Sequence, residues 1–153
     1  MFKIGAIGNR YMKDDGIAIK ILESIGEKIR SPEVDIIIGE TDSQSFFYQL
    51  KDEDYIIILD AQYVGVDPGS IHVFNLQEVL SRPSGYLMQH DMSIIELMKL
   101  YGKSYKGTII GIEIAEIGPG EELSLILQEK LPSLCSKIEI LLKNIILEES
   151  NYA

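Results

Sequence analysis

Tyr55-Ile56-Ile57-Ile58-Leu59-Asp60-Ala61 is the stretch on which the fold turns. Four large aliphatics in succession leave no polar face, and three of them are β-branched. Such a run fits a central strand covered on both sides, the situation of a parallel sheet. The run is too short for a membrane span, which needs roughly 18 to 20 apolar residues, and no other segment reaches that length.

Working outward, Phe2 to Ile7 is a second short apolar run, closed by the turn residues Gly8-Asn9. From Gly16 to Ile29 the apolar residues Ile17, Ile21, Leu22, Ile25 and Ile29 recur at helical spacing. Pro32 interrupts the chain, and Val34 to Ile38 reads as a strand. Ser43 to Leu50 reads as a short helix, Ile71 to Phe74 as a weaker edge strand, and Leu76 to Met88, with Pro83 and Gly85, mostly as loop. Ser93-x-x-Glu96 is a capping-box pattern opening a helix to Tyr101. Thr108 to Ile114 is the last strand, and a helical region runs from Glu121 to Leu147, which Pro132 should kink or divide. Strands alternating with helices predict a three-layer αβα fold, with a mainly parallel twisted sheet of about five strands.

The 153 residues suit one domain, 1–153, with a sizeable core. Hydrophobic residues make up 46% and charged residues 25%, an ordinary globular balance. The formal net charge of −10 argues against nucleic acid as a partner, because phosphate backbones are repelled. Cys135 is the only cysteine, so there is no internal disulfide and no CxxC motif. The first residues enter a strand without a signal-peptide layout, and the expected location is the cytoplasm, with no membrane partner.

Open parallel sheets bind ligands beyond the carboxyl ends of their strands, where the strand order switches. That rule selects Asn9 to Asp15, Gly39 to Asp42, Asp60, His90 and Glu113 to Gly118. A carboxylate such as Asp60, at the end of a buried strand, needs a partner to offset desolvation, although strand-end aspartates also form turns and caps. Of Asp14 and Asp15, one can cap the following helix while the other points to the rim, and Asp14 is the expected cap. His90 precedes a helix tethered to that same edge, whereas His72 falls within the weak strand and reads as structural. Two carboxylates and an imidazole form an O,O,N donor set able to hold a divalent ion with positions left open. No HExxH, Gly-x-Ser-x-Gly, Ser-His-Asp or Cys-His arrangement is present, and Cys135 falls in an apolar-periodic helix.

With Ile4-Gly5-Ala6-Ile7-Gly8-Asn9, Asp14-Asp15-Gly16-Ile17, Ile57-Ile58-Leu59-Asp60-Ala61 and His90 in this order, the chain resembles the hydrogenase maturation endopeptidases from Lys3 to about Leu147. The first two segments are similar to that family's Gly-x-Gly-Asn…Asp-[Asp/Glu]-Gly signature, and the third to its strand-end Asp-Ala. The resemblance implies a cytoplasmic endopeptidase that removes the C-terminal extension of a nickel–iron hydrogenase large-subunit precursor after nickel insertion. It implies Asp15, Asp60 and His90 as ligands to nickel presented by the substrate, with other divalent ions able to substitute, and places Glu40 and Thr41 in a turn that holds the substrate. Three positions depart from the pattern: Ala6 for the first glycine, Gly39-Glu40-Thr41-Asp42 for a Gly-Gly-Thr turn, and Ile114 for the proline of Gly-Ile-x-Pro. A metal-dependent binding or chaperone protein without hydrolysis stays open beside this reading. So does a nucleotide-binding module with Glu40 on a ribose, although the first turn lacks GxGxxG.

Overall fold

The computed structural model describes residues 1–83 and 92–151. Strands β1 (Phe2–Ile7), β2 (Val34–Glu40), β3 (Tyr55–Gln62), β4 (Ile71–Asn75) and β5 (Lys106–Glu113) form one sheet in the order β2-β1-β3-β5-β4. All neighbours run parallel except β4, which is antiparallel to β5 and forms an edge. The expected mainly parallel α/β sheet is what the chain forms.

Alternation along the strands divides the core in two. On one side Ile4, Ala6, Ile57, Leu59 and Ile110 pack against helix α1 (Ile17–Ile29) and the long helix α5 (Leu125–Ser150). On the other, Ile56, Ile58 and Ile109 meet α2 (Ser43–Tyr48), α3 (Leu76–Leu80) and α4 (Met92–Leu100). Gly5 is what lets α2 lie this close, since a Cβ there would fall 1.7 Å from a ring carbon of the fully buried Phe46.

Three local expectations need correction. Residues 76–80 are helical: Asn75 Oδ1 accepts from the Glu78 N–H at 3.0 Å, and Leu76 and Val79 bury one turn apart. Pro83 and Gly85 masked that cap in the sequence, although Asn75-x-x-Glu78 is a start signal. Pro132 does not divide α5. It lies on the exposed side, as does Gln128, whose carbonyl lacks the N–H that a proline cannot supply, while Leu127, Leu134, Ile138 and Leu142 carry the buried face past it. Helix α4 begins at Met92, so Ser93 stands inside the helix and not at its cap.

From β1 the chain passes through α1 to β2 on one flank, then returns through α2 to β3 on the other. The order therefore switches between β1 and β3. Their pairing ends at Ala6 and Leu59, and beyond it β3 continues along β5 while β1 turns away.

Candidate functional site

The turn after β1 is closed by its own backbone. Gly8 adopts φ 144°, and a Cβ there would lie 2.1 Å from the Asp15 carbonyl oxygen. Only glycine permits that approach. A 3-10 turn follows at Lys13–Gly16 and packs against β3. Asp15 is buried in it, and its Oδ2 accepts from the Asn9 N–H at 2.8 Å, so the carboxylate is tied to the end of β1.

Asp60 follows Leu59 in β3, is fully buried, and accepts from the Ala61 N–H through Oδ1 at 2.7 Å. Strand alternation aims it to the side of Ile56 and Ile58, the side covered by α2 and α4. One carboxylate thus comes from β3 itself and the other from the turn tied to the end of β1, the two strands between which the order switches. His90 lies outside the described residues, two positions before α4 begins. Among the described residues no group of three or more His, Cys, Asp or Glu side chains is close enough to hold a metal ion.

Asp14 has a different task from the helix cap expected of it. It is fully buried and reaches across to the segment after β5. Its carboxylate accepts from the N–H groups of Ala115, Glu116 and Ser124 at 3.0, 2.8 and 2.7 Å, and from the Ser124 hydroxyl at 2.8 Å. The preceding residue closes the same junction, since Lys13 N–H donates to the Gly120 carbonyl at 2.8 Å. Of the adjacent acids, Asp14 ties two loops together and Asp15 stays at the rim.

Glu40 and Thr41 border a polar cleft of about 490 Å³ beside the end of β2, shared with Asn9, Tyr11, Asp42 and Ser45. The β1–β2 register slips there, so that Ile7 opposes Glu40, and Glu40 takes φ 49°. A left-handed backbone favours glycine, the residue of the family pattern at this position. Arg10 offsets the strain: its Nε donates to Glu40 Oε1 at 2.7 Å, while its Nη2 lies 3.2 Å from Glu23 Oε2. These two carboxylates push the Arg10 pKa up. The nucleotide reading, which required Glu40 for a ribose, therefore meets a carboxylate already paired. Reading the sequence did not single out Arg10; its signal was a cation inside the first loop of an otherwise acidic rim.

The other two departures are also absorbed. Ala6 is fully buried in the first core cluster. Ile114 donates its N–H to the Gln62 carbonyl at 3.0 Å, a bond that a proline could not make.

A buried polar set went unnoticed in the sequence. Glu113, 1% exposed, accepts from Val64 N–H, Gly65 N–H and Gln62 Nε2, all within 3.3 Å. A carboxylate only accepts, so it turns the Gln62 amide nitrogen toward itself, and that nitrogen also contacts His72 Nδ1. His72 is thereby held in a side-chain pair with Gln62, in keeping with its structural reading.

The arrangement defines a class: a parallel α/β protein with two carboxylates at its switch point and a polar cleft alongside. The sequence matches the family model HycI, described as hydrogenase maturation protease, over residues 19–140. The chain belongs to the hydrogenase maturation protease family, whose members are peptidases. Among solved structures it is similar to the [NiFe] hydrogenase maturation protease HybD from Thermococcus kodakarensis, at 28% identity and TM-score 0.71, covering 92% of this chain and 97% of that one. It shares its fold with the hydrogenase maturating endopeptidase HybD from E. coli, at 18% identity and TM-score 0.74, over 94% and 92% of the two chains. It does so too with HycI from Thermococcus kodakarensis KOD1, at 21% identity and TM-score 0.63, over 93% and 92%. No curated protein matches by sequence. Among the described residues no helix is long and apolar enough to cross a membrane.

Proposed function

We propose that this chain removes the C-terminal extension of a nickel–iron hydrogenase large-subunit precursor after nickel has been inserted. The observation that supports the reading is that Asp60 lies in β3 while Asp15, in the 3-10 turn after β1, is hydrogen-bonded back to Asn9, next to the switch in strand order of a hydrogenase maturation protease. In this reading nickel belongs to the substrate. Client thiolates supply its soft donors, and Asp15, Asp60 and His90 complete the shell with oxygen and nitrogen. The chain has two histidines; His72 is paired with Gln62 inside the β4–β5 edge, and the family resemblance assigns this part to His90.

Glu40 and Thr41, on the wall of the cleft, hold the client segment next to the scissile bond. Hydrolysis adds water across the peptide bond: the C–N bond breaks, the new carboxyl stays on the mature subunit, and the amine leaves with the tail. A metal-polarised carbonyl or metal-activated water needs no protein nucleophile. Cys135 packs with the first core cluster, on the side of the sheet away from Asp60, and burial pushes its thiol pKa up, which suits a packed side chain. The departures at Ala6, Glu40 and Ile114 leave both carboxylates in place, which favours retained activity.

The test is incubation with a nickel-loaded large-subunit precursor, followed by intact mass spectrometry. The expected product is shorter by its tail, with metal-free precursor left whole. Asp60→Ala and His90→Ala should each slow cleavage and weaken divalent-metal binding by at least about tenfold, the scale of one lost ligand. Unchanged rates in both variants refute the site. A stable complex without cleavage makes the chain a metal-dependent binding protein instead, and unfolding of Asp60→Ala assigns that residue a turn-forming role.

A further inference from the structure

Past Asp60 and Gln62, β3 leaves the sheet through Tyr63, Val64, Gly65 and Val66. Loops at such an edge are usually polar, yet Tyr63 is 59%, Val64 61% and Val66 42% exposed. The loop is also held firmly. Glu113, itself 1% exposed, spends a buried carboxylate on it, accepting from the Val64 N–H at 3.1 Å and the Gly65 N–H at 3.1 Å. Gly65 adopts φ 88°, where a side chain would be strained, and the turn after it is pinned by Lys130 Nζ donating to the Pro68 carbonyl at 2.7 Å. A buried charge that keeps three apolar side chains in water does nothing for the core. Its product is a preformed apolar projection beginning three residues beyond Asp60.

Its surroundings narrow the partner. Ile117, 46% exposed, stands on the loop bound by Asp14, whose own N–H donates to the Glu116 carbonyl at 3.2 Å. That loop connects directly to β5 and Glu113. Along the same two loops the exposed acids Asp67, Glu116, Glu121 and Glu122 outnumber the cations at hand, Lys13 paired with Glu116 and Lys130 bonded to Pro68, on a chain of net charge −10. An apolar centre with acidic flanks complements an apolar patch bordered by lysine or arginine.

We propose that residues 63–66 are a docking hook for the folded body of the client whose tail enters the Asp15–Asp60 site, with the exposed Ile117 of the loop after β5 as a second apolar contact, and that the hook grips an apolar, basic-rimmed surface of that client. The inference rests on the peptidase reading given above. A rigid hook lowers the entropy lost on association and holds the tail in register with the strand ends.

Cleavage kinetics of nickel-loaded precursor test it in three proteins: the intact chain, the triple variant Tyr63→Ser/Val64→Ser/Val66→Ser, and Leu147→Ser as a control. Leu147 is an exposed apolar residue near the far end of α5, whose last turn borders Met1 and Phe2 at the opposite pole of the sheet. The triple variant should raise KM about tenfold or more while kcat stays within about twofold, as expected for lost uniform binding. Added salt should raise KM for the intact chain, and Leu147→Ser should match it. An unchanged KM in the triple variant overturns the hook and leaves the peptidase reading standing, as does a fall in kcat alone. An intact chain that neither binds nor cuts the precursor overturns that reading and the hook with it. Glu113→Gln keeps the side chain's shape but turns an NH2 group toward its donors, and it should reproduce the KM effect at unchanged far-ultraviolet circular dichroism.

Discussion

Asp14→Ala should be one of the more damaging single substitutions away from the apolar core. The carboxylate accepts four hydrogen bonds from a segment more than 100 residues distant in sequence, and they are not equal in worth. The Ala115 and Glu116 amides are only partly buried, so water can take over part of their pairing when the carboxylate is removed. The two Ser124 donors are buried and would be left unsatisfied. At about 1–2 kcal/mol for each stranded buried donor, plus a smaller loss for the two partly wet amides, the expected destabilisation is about 3–4 kcal/mol. With a urea slope of about 2 kcal/mol/M for a chain of this size, the midpoint should fall by roughly 1.5–2 M. Amide hydrogen exchange supplies the site-specific check, because protection at Ala115, Glu116 and Ser124 should drop before the rest of the sheet loosens. A midpoint shift below about 0.4 M, with exchange at those amides unchanged, would refute the reasoning that this acid ties the two loops together.

Glu40 offers a cleaner test of backbone strain. Glu40→Gly and Glu40→Ala both lose the Arg10 pair, but only glycine relaxes φ 49°, so the glycine variant should be the more stable by about 1 kcal/mol, or about 3 °C in Tm. Equal melting temperatures would mean that the left-handed turn costs nothing. Burial pushes the Cys135 thiol pKa above its ordinary range, with a bond to Ser24 and the Lys28 charge opposing the shift only in part. Thiolate therefore forms at higher pH than in a free thiol. Alkylation by iodoacetamide at neutral pH should be slower than for glutathione, and its rate should reach a plateau at higher pH than that of glutathione. A plateau at the same pH as for glutathione, or lower, would contradict this.

Residue pattern alone was sufficient for the layered α/β architecture. A run such as Ile56-Ile57-Ile58-Leu59 is stable as a strand when covered on both faces, and the Ile17 to Ile29 periodicity marks a helix with one face to bury. Both are local facts about where apolar surface must go. The rim list of Asn9–Asp15, Gly39–Asp42, Asp60, His90 and Glu113–Gly118 followed in turn, because parallel strands all present their carboxyl ends to one edge. Which residue does what at that edge was decided by tertiary contact. Asp14 and Asp15 are chemically identical neighbours, and only the approach of residues 115–124 makes one a loop tie while the other faces the strand ends. Glu40 reads as an ordinary acid until the register slip between β1 and β2 forces its backbone left-handed and brings Arg10 beside it. His72, read as structural from its place in a weak strand, acquires its actual partner only when Glu113, 41 positions later, engages Gln62 beside it. Hydrophobic patterning acts through neighbours in the chain and is legible there; hydrogen-bond acceptance depends on donors brought from far away, which only the folded chain supplies.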